Sequence, residues 1–120
     1  MVESLEKVVP VKLGSLADLV RLAAAISMPQ GASYILRFET GDKVVLGILG
    51  VFRDYYKYYG IPVFYYYIAE GKEAEDLKNT NYIVASLSED RFEFSKHPKP
   101  GLSIPLIRLA AKPDFIPDLQ

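Results

Sequence analysis

Nine of the chain's 15 aromatic residues fall between positions 52 and 67: Phe52, Tyr55, Tyr56, Tyr58, Tyr59, Phe64, Tyr65, Tyr66 and Tyr67. Arg53 and Lys57 are set among them, and Arg37 precedes them on a segment with strand-like alternation. Rings beside cations suit a single-stranded polynucleotide. Any base can stack on a ring for about 1–3 kcal/mol while guanidinium and ammonium groups follow the phosphates. The same residues have plainer uses. Tyr forms strands well and joins an apolar body to a polar tip, so a Tyr-rich hairpin can be core packing or a subunit interface. A small-molecule cleft at the hairpin is a third use. Charge weighs against the first: residues 32–69 hold four basic and three acidic side chains, and the whole chain has a formal charge of -1. A positive groove would need copies brought together.

Other chemistry finds little footing. The chain has no Cys and one His, which removes thiol nucleophiles, redox pairs and structural zinc sites. His97 lies between Lys96 and Pro98 in a breaker-rich loop, a setting for a surface residue rather than a general base. Glu73, Glu75 and Asp76 read as a water-facing helical turn. Gly41-Asp42-Lys43, Gly71-Lys72 and Gly47-Ile48-Leu49-Gly50 lack the rest of any phosphate-loop or dinucleotide pattern. No enzymatic activity, cofactor or metal is therefore expected. Downstream, residues 70–93 hold three basic and seven acidic side chains, whereas Lys96, Lys99, Arg108 and Lys112 stand in 94–113 with no acid. That basic stretch is either a phosphate-contacting edge or a solvated loop that neutralises the acidic segment.

The elements that must position these residues follow from periodicity. Val9, Val11 and Leu13, interrupted by Pro10, predict an extended lead-in or edge strand. Ser15 caps a helix whose Leu16, Leu19, Val20, Ala23 and Ile26 recur at helical spacing, ending near Met28-Pro29-Gln30-Gly31. From Ala32 the period becomes two: Tyr34, Leu36 and Phe38 face one way, Ser33, Ile35, Arg37 and Glu39 the other. A three-residue connection, Thr40-Gly41-Asp42, leads into a central strand from Lys43 to Arg53. Gly47 and Gly50 within it predict a bulge, or an aromatic side chain lying over bare backbone. After a loop at 54–60 come a strand over 61–69, a short helix over 73–79, strands over 82–87 and 91–94, a loop over 96–101 and a final helix over 104–112 with Pro105 at its first position. The expected fold is α+β, a four- to five-stranded antiparallel sheet with helices packed on one face. Residues 1–120 make one domain with an irregular, Pro-containing tail at 113–120. One covered face leaves the other for function.

The longest apolar run, Val44 to Phe52, is 9 residues, against about 20 for a membrane-spanning helix. The start of the chain lacks the plan of a signal peptide, and a cysteine-free chain fits a reducing interior, so a cytoplasmic protein with no membrane partner is expected. Only four Asn and Gln, with abundant Lys, Glu, Ile, Val and Tyr, resemble the composition of proteins from hot sources.

Over residues 15–95 the plan resembles the archaeal ThermoDBP-related single-stranded DNA-binding proteins. The likeness is carried by the helix from Ser15 to Ser27, the strands around Tyr34–Phe38, Val44–Arg53 and Val63–Tyr67, and the hot-source composition. It implies sequence-tolerant binding of single-stranded DNA or RNA by a homo-oligomer, with Arg37, Arg53 and Lys57 on phosphates and Tyr55, Tyr56, Tyr58, Tyr65 or Tyr67 under bases. The acidic overall balance departs from that pattern. The alternative expectation is an interaction or structural module whose tyrosines are buried between subunits.

Overall fold

The Ser15 hydroxyl accepts the amide of Asp18 at 3.2 Å, satisfying one of the free N–H groups at the start of α1, Leu16–Gln30. In the computed structural model, which describes residues 8–30, 33–51 and 62–114, the helix buries Leu16, Leu19, Val20 and Ala23 along one stripe. The remaining elements are β1 (Val9–Lys12), β2 (Ile35–Thr40), β3 (Lys43–Val51), β4 (Pro62–Ala69), α2 (Gly71–Lys78), β5 (Tyr82–Ser86), a 3-10 turn (Leu87–Glu89), β6 (Arg91–Ser95) and β7 (Leu102–Arg108). No helix among them is long and apolar enough to cross a membrane.

The architecture is α+β, but the sheet corrects the expected one. It has seven strands in the order β1-β4-β3-β2-β7-β5-β6, and it is mixed: β1 runs parallel to β4, and β7 parallel to β2. The largest departure is 102–108, expected to be helical from 104 onward. Its apolar residues sort with period two: Ile104 and Leu106 are buried, while Ile107, on the alternate phase, is exposed. Pro105 is tolerated for a local reason. Leu106 donates its amide toward β5, to the Asn81 carbonyl, so an amide at 105 would point to the β2 side. There pairing begins only at Leu106 opposite Ile35, and the missing donor costs no ladder bond.

Smaller differences have similar causes. The β2–β3 turn has two residues, because Thr40 pairs with Lys43; Gly41, at φ +58°, supplies the positive φ that a II′ turn needs at its first central position. At Gly47 the expectation of an aromatic over bare backbone holds. The Phe64 ring lies so close that a Cβ there would meet its Cζ at 2.2 Å.

The sheet separates two cores. On one face, α1 and α2 (Ala74, Leu77) join Ile35, Val44, Leu46, Ile48, Ala69, Ile83, Ile104 and Leu106. The other holds a smaller cluster of Phe38, Val45, Phe64 and Tyr66, bordered by Val8, Leu36, Ile68 and Leu109 and containing no residue of either helix. Within it the Phe64 and Tyr66 rings stack at 6.0 Å, 11° apart.

Candidate functional site

Of the residues expected to bind a polynucleotide, the structure describes Arg37, Tyr65 and Tyr67, and none of the three stands free at a surface. Arg37 is only 4% exposed. Its phase on β2 turns it under α2, where Nη1 donates to the Leu77 carbonyl at 2.7 Å and to that of Thr80. Both acceptors lie at or just past the end of α2, where carbonyls lack helical partners and the dipole is negative. Burial, and to a lesser degree the nearby Arg108, pull the Arg37 pKa down. This is an arginine capping a helix, not one free for phosphate. Arg108 in turn pairs with Glu39 at 3.0 Å.

Tyr65 and Tyr67 share the helix-covered face with Arg37. Tyr65 is 4% exposed, beside Val11 in the register of β1 and β4. Tyr67 is half-buried against the larger core and donates its hydroxyl to Glu73 Oε1 at 2.5 Å. That hydrogen bond, with burial and the Glu73 and Glu70 charges, pushes its pKa up to about 12. The Tyr65 ring offers no free face to a base, and the Tyr67 ring is only partly exposed. Period two predicts that Tyr65 and Tyr67 point together; what cannot be read from it is that theirs is the face the helices cover. Arg53, Tyr55, Tyr56, Lys57 and Tyr58 lie outside the described residues.

The basic stretch after residue 94 is also engaged. Lys99 is clamped to Glu93 at 2.9 Å, and the Ser103 hydroxyl ties the 99–103 loop through the Lys99 amide and carbonyl. A cavity of about 270 Å³ opens between α1 and the β5–β6 turn, lined by Ala17, Val20, Arg21, Asp90, Arg91 and Phe92 among others. Its cations are committed: Arg21 grips both Asp90 carboxylate oxygens at 3.2 Å and reaches Asp18 at 3.3 Å, and Arg91 pairs with Glu89 at 3.1 Å. Among the described residues no three His, Asp or Glu side chains are grouped to hold a metal.

A different set stands out on the face away from both helices. The exposed large apolar side chains there are Tyr34, Leu49 and Ile107, at 53%, 44% and 44%. Leu36 pairs with Gly47 of β3 on one side and with Ile107 of β7 on the other. Tyr34 precedes β2 in phase with Leu36, while its neighbour Ser33 turns the opposite way to donate its hydroxyl to the Ala23 carbonyl of α1. Around these lie the buried Phe38 and Val45 and the half-buried Pro105, and among the described residues the charge that the middle three strands turn to this face is Lys43, beside the turn between β2 and β3. Further charges lie toward the rims, as Lys12 on β1 and Arg91 and Glu93 on β6. Alternation places Tyr34 and Leu36 on this face from sequence alone. Ile107 is lost to that reading once its segment is taken as a helix.

Comparison with protein-family models, with curated proteins and with solved structures returns no match, so the functional reading rests on this geometry.

Proposed function

We propose that the chain is a non-catalytic protein-interaction module whose contact surface is the sheet face opposite the helices, centred on Tyr34, Leu36, Leu49 and Ile107. One observation carries the reading: among the described residues, the large apolar side chains left in water, Tyr34, Leu49 and Ile107, gather on one face with no charge between them. Interface centres are depleted of charge and enriched in aromatic and large apolar groups, and a grouped apolar patch marks a contact site where scattered ones do not. A polynucleotide surface needs the reverse, cations at its centre. Arg37, Tyr65 and Tyr67, three residues on which single-strand binding would depend, are held by the protein itself. The cysteine-free chain suits a cytoplasmic setting.

Two measurements test this. The chain has no cysteine, so Leu49→Cys and Ile107→Cys each carry a single thiol, and both are expected to react with a maleimide in dilute solution nearly as fast as a free thiol. Labelling slowed a hundredfold at both would mean that the face is closed, and the reading fails. Anisotropy with a labelled single-stranded oligonucleotide at low salt is expected to stay flat; binding that weakens as salt rises would restore the polynucleotide in its place.

A further inference from the structure

We infer that residues 96–101, the connection from β6 to β7, form a detachable strap, latched by Lys99, over the β5 part of this face; its regulatory meaning rests on reading the face as a protein contact. Topology forces the crossing. β6 and β7 both run antiparallel to β5 and lie on its two sides, so they are parallel to each other and the chain must pass over β5 to join them. It leaves β6 at Ser95, opposite Tyr82, and enters β7 at Leu102, opposite Ala85. Two strand spacings and three residues of rise set those ends about 14 Å apart. Seven links can reach about 24 Å, so the strap has slack to rise off the sheet.

Two side chains fix the face it takes. Phe92 and Phe94 of β6 pack against the core under the helices, as do Ile104 and Leu106 of β7, so Glu93 and Ser103 point the opposite way. Both are cross-strand neighbours of Val84. Lys99 joins them: its ammonium holds Glu93 on one side at 2.9 Å, and its amide and carbonyl hold the Ser103 hydroxyl on the other at 2.8 Å each. The strap therefore passes over Val84, on the face that carries Tyr34, Leu49 and Ile107. Val84 and Tyr82 are half-buried there, and Tyr82 pairs with Pro105, two residues from Ile107.

What fastens the strap is polar and wet. All six of its residues are exposed, so it sets no apolar side chain into either core. Its other ties among the described residues run from the Asn81 side-chain amide to the Lys96 carbonyl at 3.1 Å and from the Ser95 hydroxyl to the His97 carbonyl at 2.7 Å. The Lys99 and Glu93 side chains keep about half of their surface in water, 51% and 58%, where an ion pair contributes little and salt screens it. Segments with few buried apolar contacts open first. Lifting this one bares Val84 and Tyr82 and extends the exposed patch from Ile107 and Pro105 across β5.

Thiol labelling of the full chain tests the strap. The chain has no cysteine, so Val84→Cys carries a single thiol beneath it, expected to react with a bulky maleimide roughly tenfold or more slower than a free thiol. Adding Lys99→Ala should speed that labelling roughly fivefold, the weight of one exposed ion pair, and Glu93→Gln or high salt should act in the same direction. Should Val84→Cys fail to fold, hydrogen exchange of the position-99 amide, bonded to the Ser103 hydroxyl, takes its place and should quicken in Glu93→Gln. Val84→Cys labelling as fast as a free thiol with the latch intact would overturn the inference, because the strap would then cover nothing. A rate unmoved by both latch variants and by salt would overturn it as well. A strap that lifts as expected while Leu49→Cys and Ile107→Cys label slowly would uphold the latch and sink the contact reading instead.

Discussion

Replacing Arg37 by Met separates a helix-capping arginine from a phosphate-binding one. The Arg37 guanidinium donates to two carbonyls, Leu77 and Thr80, from a site 4% exposed. Hydrogen bonds to a charged group contribute about 1.5–3 kcal/mol each, and the substitution leaves both acceptors buried without that donor. Against this, Met relieves the cost of burying a cation, visible in the lowered pKa of Arg37 and in its Nε, which has no hydrogen-bond partner among the described residues. The balance is a loss of about 2–4 kcal/mol. At about 4 °C per kcal/mol for a chain of this size, Tm should fall by roughly 8–16 °C. Arg37→Lys, which keeps the charge but not the fork, should fall in between. Thermal and urea unfolding by circular dichroism measure the loss, and oligonucleotide anisotropy on the same samples measures the alternative role. Unchanged stability together with lost oligonucleotide binding would refute the capping assignment.

Two further substitutions probe the packing on each face. Gly47→Ala would drive a methyl into the Phe64 ring, whose Cζ, Cε1 and Cε2 stand 2.2, 2.6 and 2.8 Å from the added carbon. With that ring 1% exposed it has little room to retreat, so a loss of about 1–3 kcal/mol is expected from urea midpoints. Combined with Phe64→Leu, the loss should be smaller than the sum of the two single losses. Tyr67→Phe removes the hydroxyl bonded to Glu73 and should cost about 1 kcal/mol in this half-buried setting. Because the folded-state pKa of Tyr67 is raised to about 12 above the usual value near 10, its contribution is fully present below pH 10 and is lost as pH rises toward 12. The stability gap between wild type and Tyr67→Phe should therefore close across that interval; a gap that widens would contradict the assignment.

How much of this was legible in the residues depends on the range of the interaction involved. The Ser15 cap and the phase of β2 are local, and both stand. The aromatic over Gly47 was legible because a bare strand position next to a Phe-rich strand has few other uses. Segment 102–108 misled because Pro105 followed by Leu, Arg and Ala fits the start of a helix, whereas its strand state depends on β2 and β5, distant in sequence, offering free edges on both sides. Arg37 misled for a related reason. Its partners lie some 40 residues away at the end of α2, and nothing near it in sequence reveals that a cation on a strand is reaching for helix carbonyls. Counting rings and cations located a dense segment; topology turned Tyr65 and Tyr67 toward the helices and left Tyr34, Leu49 and Ile107, less conspicuous in sequence, on the face that water reaches.

The most direct measurement is a methyl NMR spectrum recorded with a soluble paramagnetic agent. The Leu49 and Ile107 methyls should relax fast, while those of Leu19, Ala23 and Leu77, packed between the helices and the sheet, stay protected. Protection of Leu49 and Ile107 equal to that of Leu77, or resonances of their face that move when an oligonucleotide is added, would contradict the account.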